Sequence, residues 1–333
     1  MKIFSAVAFL VLVAAFFACG EDDSGGDFLD GLPEGESIRI KLPGSESSGS
    51  ALLAEEDGSG GGMTQKGLGD WAEFYLFTRA MTQQVNGGVY HLLLMIEDIA
   101  RQEPTTKEEN KWIWGPHTPG GLDPASYRVT IEKTGEKDYS WVFDAKAKDA
   151  GDDAFSPMMS GTHTKGNRPR RGAGTINLNF DTMAALDPTK VERGTAEVTY
   201  QSDTHPVTVT VKFVDFTGED GKGPTNAQYL YTEQEDGSGE FSFSIEQDMD
   251  GKGKIEDARI LTRWKSSGTG RSDIKISGGD LADDGVTDVV AVECWDTGFK
   301  RTYFEDWANG DIPIDAKQGD ASACAFSDRK LPE

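Results

Sequence analysis

The chain has 333 residues, of which 37% are hydrophobic, and its formal net charge is −24 at pH 7. This acidic excess excludes nucleic acid as a partner, because nucleic-acid-binding surfaces need clustered basic groups. It also argues against electrostatic adhesion to anionic lipid, and it favours solubility and attraction of cations.

The first 18 residues predict a cleavable signal peptide. Lys2 gives a positive start, residues 3–17 form an apolar run without a charge, and Ala18 places a small residue before Cys19. The run is shorter than the ~20 residues that span a bilayer comfortably. A buried N-terminal helix is the alternative, and the abrupt change to a long polar stretch argues against it.

The sequence Phe16-Phe17-Ala18-Cys19 resembles the lipobox of bacterial lipoproteins, in which a small residue precedes a cysteine that receives diacylglycerol. The family usually has Leu three positions before the cysteine, where this chain has Phe16. The resemblance implies an exported chain anchored by lipid, palmitate included, on Cys19. In enteric bacteria, an Asp directly after the lipidated cysteine retains a lipoprotein in the inner membrane. This chain has Gly20 there, which favours the outer membrane, at its periplasmic or its cell-surface face.

The cysteine count agrees with export. Lipidation of Cys19 leaves Cys294 and Cys324, which we expect to pair in an oxidising compartment. Closing this loop contributes ~3–4 kcal/mol to stability in the chain-entropy model. Two free buried thiols are the alternative.

Residues 19–69 predict a lipidated, disordered tether. The segment is dense in Gly, Ser, Asp and Glu, and it has too little apolar surface to offset its ordering entropy. Residues 37–42 alternate like a strand, which leaves open an added edge strand.

A single β-rich domain is expected over residues 70–310, and it starts with a predicted helix pair. Helical periodicity runs from Trp71 to Val85 and again from Val89 to Ile99. Asn86-Gly87-Gly88 separates the two helices, because paired glycines are poor helix interiors. The first half of the second helix is apolar almost all round, which predicts burial on more than one side.

From Lys111 onward the apolar period changes to two, and short Gly- and Asp-rich turns separate the runs. This predicts a mainly antiparallel α+β fold, a meander of about ten to twelve strands. So many strands favour a curved sheet or half-barrel, with the helix pair packed in or on it. The runs include Trp112/Trp114, Tyr127/Val129/Ile131, Tyr139/Trp141/Phe143, Ile176/Leu178/Phe180, Val207/Val209/Val211/Phe213, Phe241/Phe243/Ile245, Ile260/Thr262/Trp264, Ile274/Ile276 and Val290/Val292/Cys294. Residues 311–333 are then a C-terminal tail held by the disulfide.

This element order, an apolar helix followed by a long meander, resembles the half-barrel lipoproteins of the LolA, LolB and LppX type. The resemblance implies an apolar groove for a lipid or an acyl chain. It rests on no shared motif.

Asp248 and Asp250 begin a candidate calcium loop. Asp at the first and third positions and Gly253 at the sixth fit an EF-hand-like register. Lys252 and Arg259 occupy the fifth and twelfth positions, where Ca²⁺ needs oxygen ligands. The sequence therefore predicts a weak Ca²⁺ site at most, and a hairpin turn explains Asp-Gly equally well. No other cofactor is expected.

A basic run over residues 165–172 stands out in the acidic chain. It suits an anionic headgroup, a polysaccharide or an acidic partner, or it pairs with the protein's own carboxylates. The internal pairing is the preferred interpretation. The four histidines lack metal-ligand spacing, and no GxSxG, HExxH or Walker A motif occurs.

These features predict a non-enzymatic, membrane-anchored lipoprotein that binds a lipid, another hydrophobic ligand or a partner segment in an apolar groove. The alternative is a structural or surface-interaction lipoprotein that contacts an envelope or surface partner, with its aromatic residues filling a solid core. A hydrolase ranks third, since acid–base pairs on a β scaffold leave no sequence spacing to find.

Overall fold

A computed structural model describes residues 26–44, 67–118, 124–218, 223–248, 252–315 and 317–330. The predicted signal peptide and Cys19 lie outside the described residues. Three α-helices are present: α1 (Gly26–Leu29), α2 (Glu73–Ala100) and α3 (Phe180–Leu186). Short 3₁₀ helices cover Gly35–Ile38, Asp152–Ala154, Leu281–Asp284 and Ala321–Ala323.

Within the described residues, sixteen strands form antiparallel sheet, which confirms a mainly antiparallel α+β meander and shows that the estimate of ten to twelve strands is wrong. The strands are β1 (Thr106–Lys107), β2 (Lys111–His117), β3 (Ala125–Lys133), β4 (Asp138–Ala147), β5 (Ser156–Lys165), β6 (Gly172–Asn179), β7 (Arg193–Gln201), β8 (Val207–Thr217), β9 (Thr225–Glu233), β10 (Gly239–Gln247), β11 (Glu256–Trp264), β12 (Gly270–Gly278), β13 (Asp288–Trp295), β14 (Arg301–Ala308), β15 (Ile312–Pro313) and β16 (Gln318–Gly319).

Two of the uncounted strands, β5 and β7, lack the bulky alternation that signals a strand. Strand β5 turns Gly161 and His163 inward, and β7 turns Ala196 and Tyr200 inward, so small and polar residues interrupt the apolar pattern. Strands β1, β15 and β16 have two residues each, too few to show any period.

The chain divides into two compact units, where the sequence predicted one domain over residues 70–310. The first unit takes its described residues from 40–84 and 225–330, and the second from 26–39 and 85–224. Strand order follows chain order in each: β9 to β15 in the first unit, with β16 beside β14, and β1 to β8 in the second. Each unit buries its own apolar residues, and periodicity alone carries no mark of this division.

Helix α2 is continuous over 28 residues, so the predicted helix pair is wrong. A glycine inside a helix costs about 1 kcal/mol relative to alanine, and tertiary packing can offset that cost. Among the α2 side chains that the structure describes, only Gln83 and Asp98 are exposed. The side chains of residues 89, 91 and 92, in the part of the helix for which burial on more than one side was predicted, are not among those described, so that expectation stays a prediction. None of the described helices is both long and apolar enough to cross a membrane.

In the first unit, α2 packs on small polar side chains of the sheet. The Thr78 hydroxyl lies 2.7 Å from that of Thr262, which in turn lies 2.8 Å from Ser272 Oγ. All three side chains are buried. The backbone N–H groups of Glu73 and Phe74, at the start of α2, donate to the buried Glu293 carboxylate (3.0 and 2.6 Å).

Residues 26–44 are packed, so the disordered-tether prediction does not hold for this segment. In the second unit, Phe28 stacks on Trp112 with a ring-centroid distance of 4.5 Å, and Ile38 is buried. In the first unit, Ile40 and Leu42 are buried, and the Lys41 backbone exchanges hydrogen bonds with the Tyr231 hydroxyl. A few well-spaced apolar residues are enough to hold this otherwise polar segment.

The sequence pattern extended a strand through Phe180, but this residue begins α3. Asn179 caps the helix, since its side-chain oxygen accepts a hydrogen bond from the Thr182 N–H at 3.0 Å. Such a cap is a local signal of a helix start.

Candidate interaction surface

The predicted disulfide is present between Cys294 and Cys324, with a Cα–Cα distance of 5.3 Å. Cys294 lies on β13 and is fully buried beside Val292 and Tyr303. The bond fixes the chain that follows it, residues 324–330, which we call the C-terminal strap.

The strap crosses the outer face of the first unit and contacts a new strand at every second residue. The Phe326 carbonyl accepts from Arg271 of β12 (3.2 Å). The Asp328 carboxylate and carbonyl accept from Arg263 of β11 (3.0 and 2.6 Å). Lys330 then lies 3.3 Å from the Glu240 carboxylate of β10. The tail is therefore a specific component of the fold, held at several points besides the disulfide.

The two arginines under the strap share one carboxylate. Asp273 has no solvent exposure, and its oxygens accept from Arg263 (3.1 Å) and from Arg271 (2.7 and 3.0 Å). Both guanidinium groups also donate to the strap, whereas Arg263 Nε has no hydrogen-bond partner among the described residues. This arrangement holds a peptide segment in place.

Of the two candidate calcium ligands, the structure describes Asp248, which accepts a hydrogen bond from the Gly253 N–H (2.8 Å) in the connection between β10 and β11. Asp250 lies outside the described residues, so the weak Ca²⁺ site stays a prediction. Nearby, Lys252 and Lys254 contact the carboxylates of Asp280 and Asp283. Within the described ranges, no group of three or more His, Cys, Asp or Glu side chains is arranged to hold a metal.

The basic run pairs with the unit's own carboxylates, which confirms the preferred interpretation. The pairs are Lys165–Asp30 (2.7 Å), Arg168–Asp203 (3.6 Å), Arg170–Glu97 (2.6 Å) and Arg171–Glu34 (3.8 Å). Burial raises the pKa of Glu97, but hydrogen bonds from Arg170 and Arg101 outweigh it and hold that pKa below its usual value. The run joins residues 26–39 and α2 to the sheet of the second unit.

Aromatic residues of α2 and of the sheet region in the first unit contact one another. Tyr75 stacks on Phe299 at 4.4 Å and lies 5.6 Å from Trp295, measured between ring centroids. Tyr229 stacks on Phe243 at 4.9 Å, and Phe77 of α2 lies 6.1 Å from the Phe243 ring. Helix and sheet side chains thus fill the inner face of the first unit at these positions.

One buried histidine lacks a full set of partners. His163 Nδ1 lies 2.8 Å from the Tyr200 hydroxyl, and both side chains are buried. Its Nε2 has no hydrogen-bond partner among the residues that the structure describes. Burial is the main cause that lowers the pKa of His163 to about 4, and Arg170 lowers it further.

The outward side of β5 to β8 in the second unit carries a regular set of threonines, which we call the threonine face. It consists of three cross-strand rows: Ser160–Asn177–Glu197–Lys212, Thr162–Thr175–Thr199–Thr210 and Thr164–Ala173–Gln201–Thr208. The middle row is threonine on all four strands. Its members are exposed at Thr162 and Thr199 and half-buried at Thr175 and Thr210.

Sequence reasoning missed both the C-terminal strap and the threonine face. The alternation of Thr208 and Thr210 with valines was used only for its apolar half, and the inward-facing polar residues hid β5 and β7. The strap offers no periodic signal, because its contacts are made by backbone carbonyls, by the Asp328 carboxylate and by the Lys330 ammonium.

No protein-family model matches the chain, no curated protein is significantly similar to it, and no solved structure matches its fold. Its function therefore has to follow from its own residues.

Proposed function

We propose that the protein is an exported, lipid-anchored envelope protein without enzymatic activity, which acts through its outer surface and not through a ligand groove. The observation that carries this proposal is the filled inner face of the first unit, where Tyr75 of α2 packs against Trp295 and Phe299. An apolar ligand needs a free concave surface, and these side-chain contacts occupy the inner face instead.

The N-terminal sequence supports the anchor. Phe16 to Cys19 resembles a lipobox, and the two remaining cysteines are paired with each other, which leaves Cys19 for lipidation. A half-barrel sheet around α2, as in the lipoproteins that the element order resembles, belongs to the same proposal, as does an outer-membrane location.

The anchor is tested by expressing the full chain and Cys19→Ser in a bacterium with lipoprotein processing. We expect the wild type in the detergent phase of a Triton X-114 partition, with an acylated N-terminal peptide by mass spectrometry. Cys19→Ser should move to the aqueous phase. A wild-type chain without acyl groups would overturn the anchor.

The filled core is tested by native mass spectrometry of the Cys19→Ser chain. A surface-interaction protein gives the apo mass, two hydrogens lighter than the reduced chain because of the disulfide. Co-purified lipid released by organic extraction would overturn this part of the proposal. It would favour the hydrophobic-ligand alternative, which stays a prediction.

A further inference from the structure

We propose that the threonine face binds an extended, uncharged, hydroxyl-bearing polymer, a neutral polysaccharide. This inference deepens the proposed surface-interaction function and rests on it. Its first support is chemical: hydroxyl and amide side chains each donate and accept hydrogen bonds, as sugar hydroxyls do. Six threonines, Ser160, Asn177 and Gln201 supply these groups, and Ala173, Glu197 and Lys212 complete the face.

The charge of the face argues for an uncharged partner. The whole chain carries −24, yet the threonine face has one Glu and one Lys, which are directly opposite each other on β7 and β8. One further carboxylate borders the face: Asp138 of β4 accepts a hydrogen bond from the Thr164 hydroxyl (2.7 Å). An anionic polymer would be repelled by the rest of the molecule, and a cationic one would prefer acidic surface elsewhere. A neutral polymer gains nothing from those surfaces. It does gain from a face with many polar groups and no net charge.

The backbone gives the face a regular spacing. Neighbouring strands lie ~4.8 Å apart, and alternate residues along a strand lie ~6.6 Å apart. The pairing from β5 to β8 places the threonines of the middle row in register across the sheet, and the hydroxyls of Thr162 and Thr175 lie 3.0 Å apart. Such an array suits a chain that repeats its hydroxyl groups, more than it suits a compact ligand.

The inward side chains make this face a fixed platform. Ile176, Val198 and Val211 are buried directly behind the middle row, with 0–1% exposure. Binding therefore requires little ordering of the protein, which limits its entropic cost. The face has no aromatic residue for sugar stacking, so we expect weak binding per site. Many lipid-anchored copies on one surface would raise the overall avidity.

The test uses the full chain in mild detergent and affinity electrophoresis in gels containing laminarin, galactomannan or dextran, with alginate as the anionic probe. We expect at least one neutral polysaccharide to retard the wild type, equally at 0.05 and 0.5 M NaCl. The triple variant Thr175→Val, Thr199→Val, Thr210→Val removes hydroxyls, keeps the side-chain shape and suits a strand. It should lose at least tenfold in affinity by calorimetry.

Two control variants isolate the hydroxyl contribution. The triple Thr→Ser variant at residues 175, 199 and 210 keeps the hydroxyls and should bind within threefold of the wild type. Ser242→Ala with Ser244→Ala alters outward hydroxyls of β10 in the other unit and should change nothing. Near-ultraviolet circular dichroism confirms that each variant is folded.

Four outcomes would overturn the inference. The first three are retardation by alginate alone, equal binding by the valine variant, and no retardation of the wild type by any neutral probe. A change from dimer to monomer in the valine variant, measured by light scattering, would instead assign the face to a second copy of the chain, and would also overturn it. The lipid-anchor and apo-mass experiments do not depend on these results, so failure here leaves the broader proposal standing.

Discussion

Trp264 and Trp295 make the same two contacts at equivalent places in successive β-hairpins. The Trp264 indole N–H donates to the Gly237 carbonyl (3.1 Å), and that of Trp295 donates to the Gly268 carbonyl (3.0 Å). Both bonds span 27 residues of sequence. Each indole also lies against the glycine two residues further on, Gly239 for Trp264 and Gly270 for Trp295. The hairpins of the first unit are thus built as a structural repeat.

This repeat predicts that Gly270→Ala is destabilising. An added Cβ would collide with the Trp295 ring and would lie 2.6 Å from the Arg263 carbonyl oxygen. Overpacking of this kind costs about 1–3 kcal/mol. We expect a matching fall in the free energy of unfolding, measured by urea denaturation with Trp fluorescence.

Gly298→Ala is the matched control for Gly270→Ala, because it lies in the neighbouring turn. Its added Cβ would come no closer than 3.3 Å to another group, the Asp296 carboxylate. We expect a change below about 0.5 kcal/mol for this surface site. Equal losses in both variants would contradict the role assigned to the Trp–Gly contact.

The buried pairing of Asp273 gives a second prediction. Among the described ion pairs, Asp273 is the carboxylate that both Arg263 and Arg271 share, and Arg263 also pairs with Asp328 of the strap. Asp273→Asn removes the shared charge. Breaking a buried ion pair from one side costs about 3–5 kcal/mol, because the remaining charge stays buried. We expect a loss of this size in chemical denaturation.

Asp257→Asn provides the comparison for Asp273→Asn. Asp257 pairs with Arg259 on the same strand at 2.7 Å, but both side chains are about one-third exposed. Such surface pairs contribute about 0–1 kcal/mol. If Asp257→Asn were as destabilising as Asp273→Asn, burial would not be what makes the Arg–Asp–Arg cluster important.

The disulfide and the strap should be lost together. Cys324→Ser opens a loop with a sequence separation of 30 and should lower stability by ~3–4 kcal/mol in the chain-entropy model. It also frees residues 325–330, which then depend on partly exposed contacts. We expect faster hydrogen exchange there by mass spectrometry. The wild type under dithiothreitol should reproduce the variant, and an unchanged exchange rate would show that the ion pairs alone hold the strap.

Sequence patterns predicted those features that arise from local chemistry. Alternating bulky residues located β3, β4 and β10, and cysteine arithmetic located the disulfide. The features missed depend on partners distant in sequence. Helix α2 passes through Gly87 and Gly88 because packing outweighs their low helix propensity, and no local pattern reports that packing.

The same limit applies to the threonine face and to the C-terminal strap. A threonine on an exposed strand face is ordinary, and the threonine face becomes a feature only once the register aligns Thr162, Thr175, Thr199 and Thr210. Register is set by long-range pairing, which alternation within a single strand does not specify. The strap, likewise, is a polar tail until Asp328 is placed beside Arg263.

His163 gives the protein a defined dependence of stability on pH. Its pKa is about 4 in the folded protein, against an ordinary value of about 6.5 in the unfolded chain. The unfolded chain therefore binds a proton first as the pH falls, and protonation favours unfolding. The contribution is fully present above pH 6.5 and is lost as the pH drops towards 4. At 1.36 kcal/mol per pKa unit, this shift corresponds to about 3 kcal/mol.

The measurement is urea denaturation of the wild type and of His163→Gln between pH 4 and 7.5. Carboxylates titrate at the lower end of this range in both proteins, so the informative quantity is the difference between the two curves. We expect the wild type to lose about 3 kcal/mol more than His163→Gln over this interval. His205→Gln, which alters an exposed histidine of the same unit, should follow the wild type. Parallel curves for wild type and His163→Gln would mean that water reaches the Nε2 atom and that the pKa of His163 lies near its ordinary value.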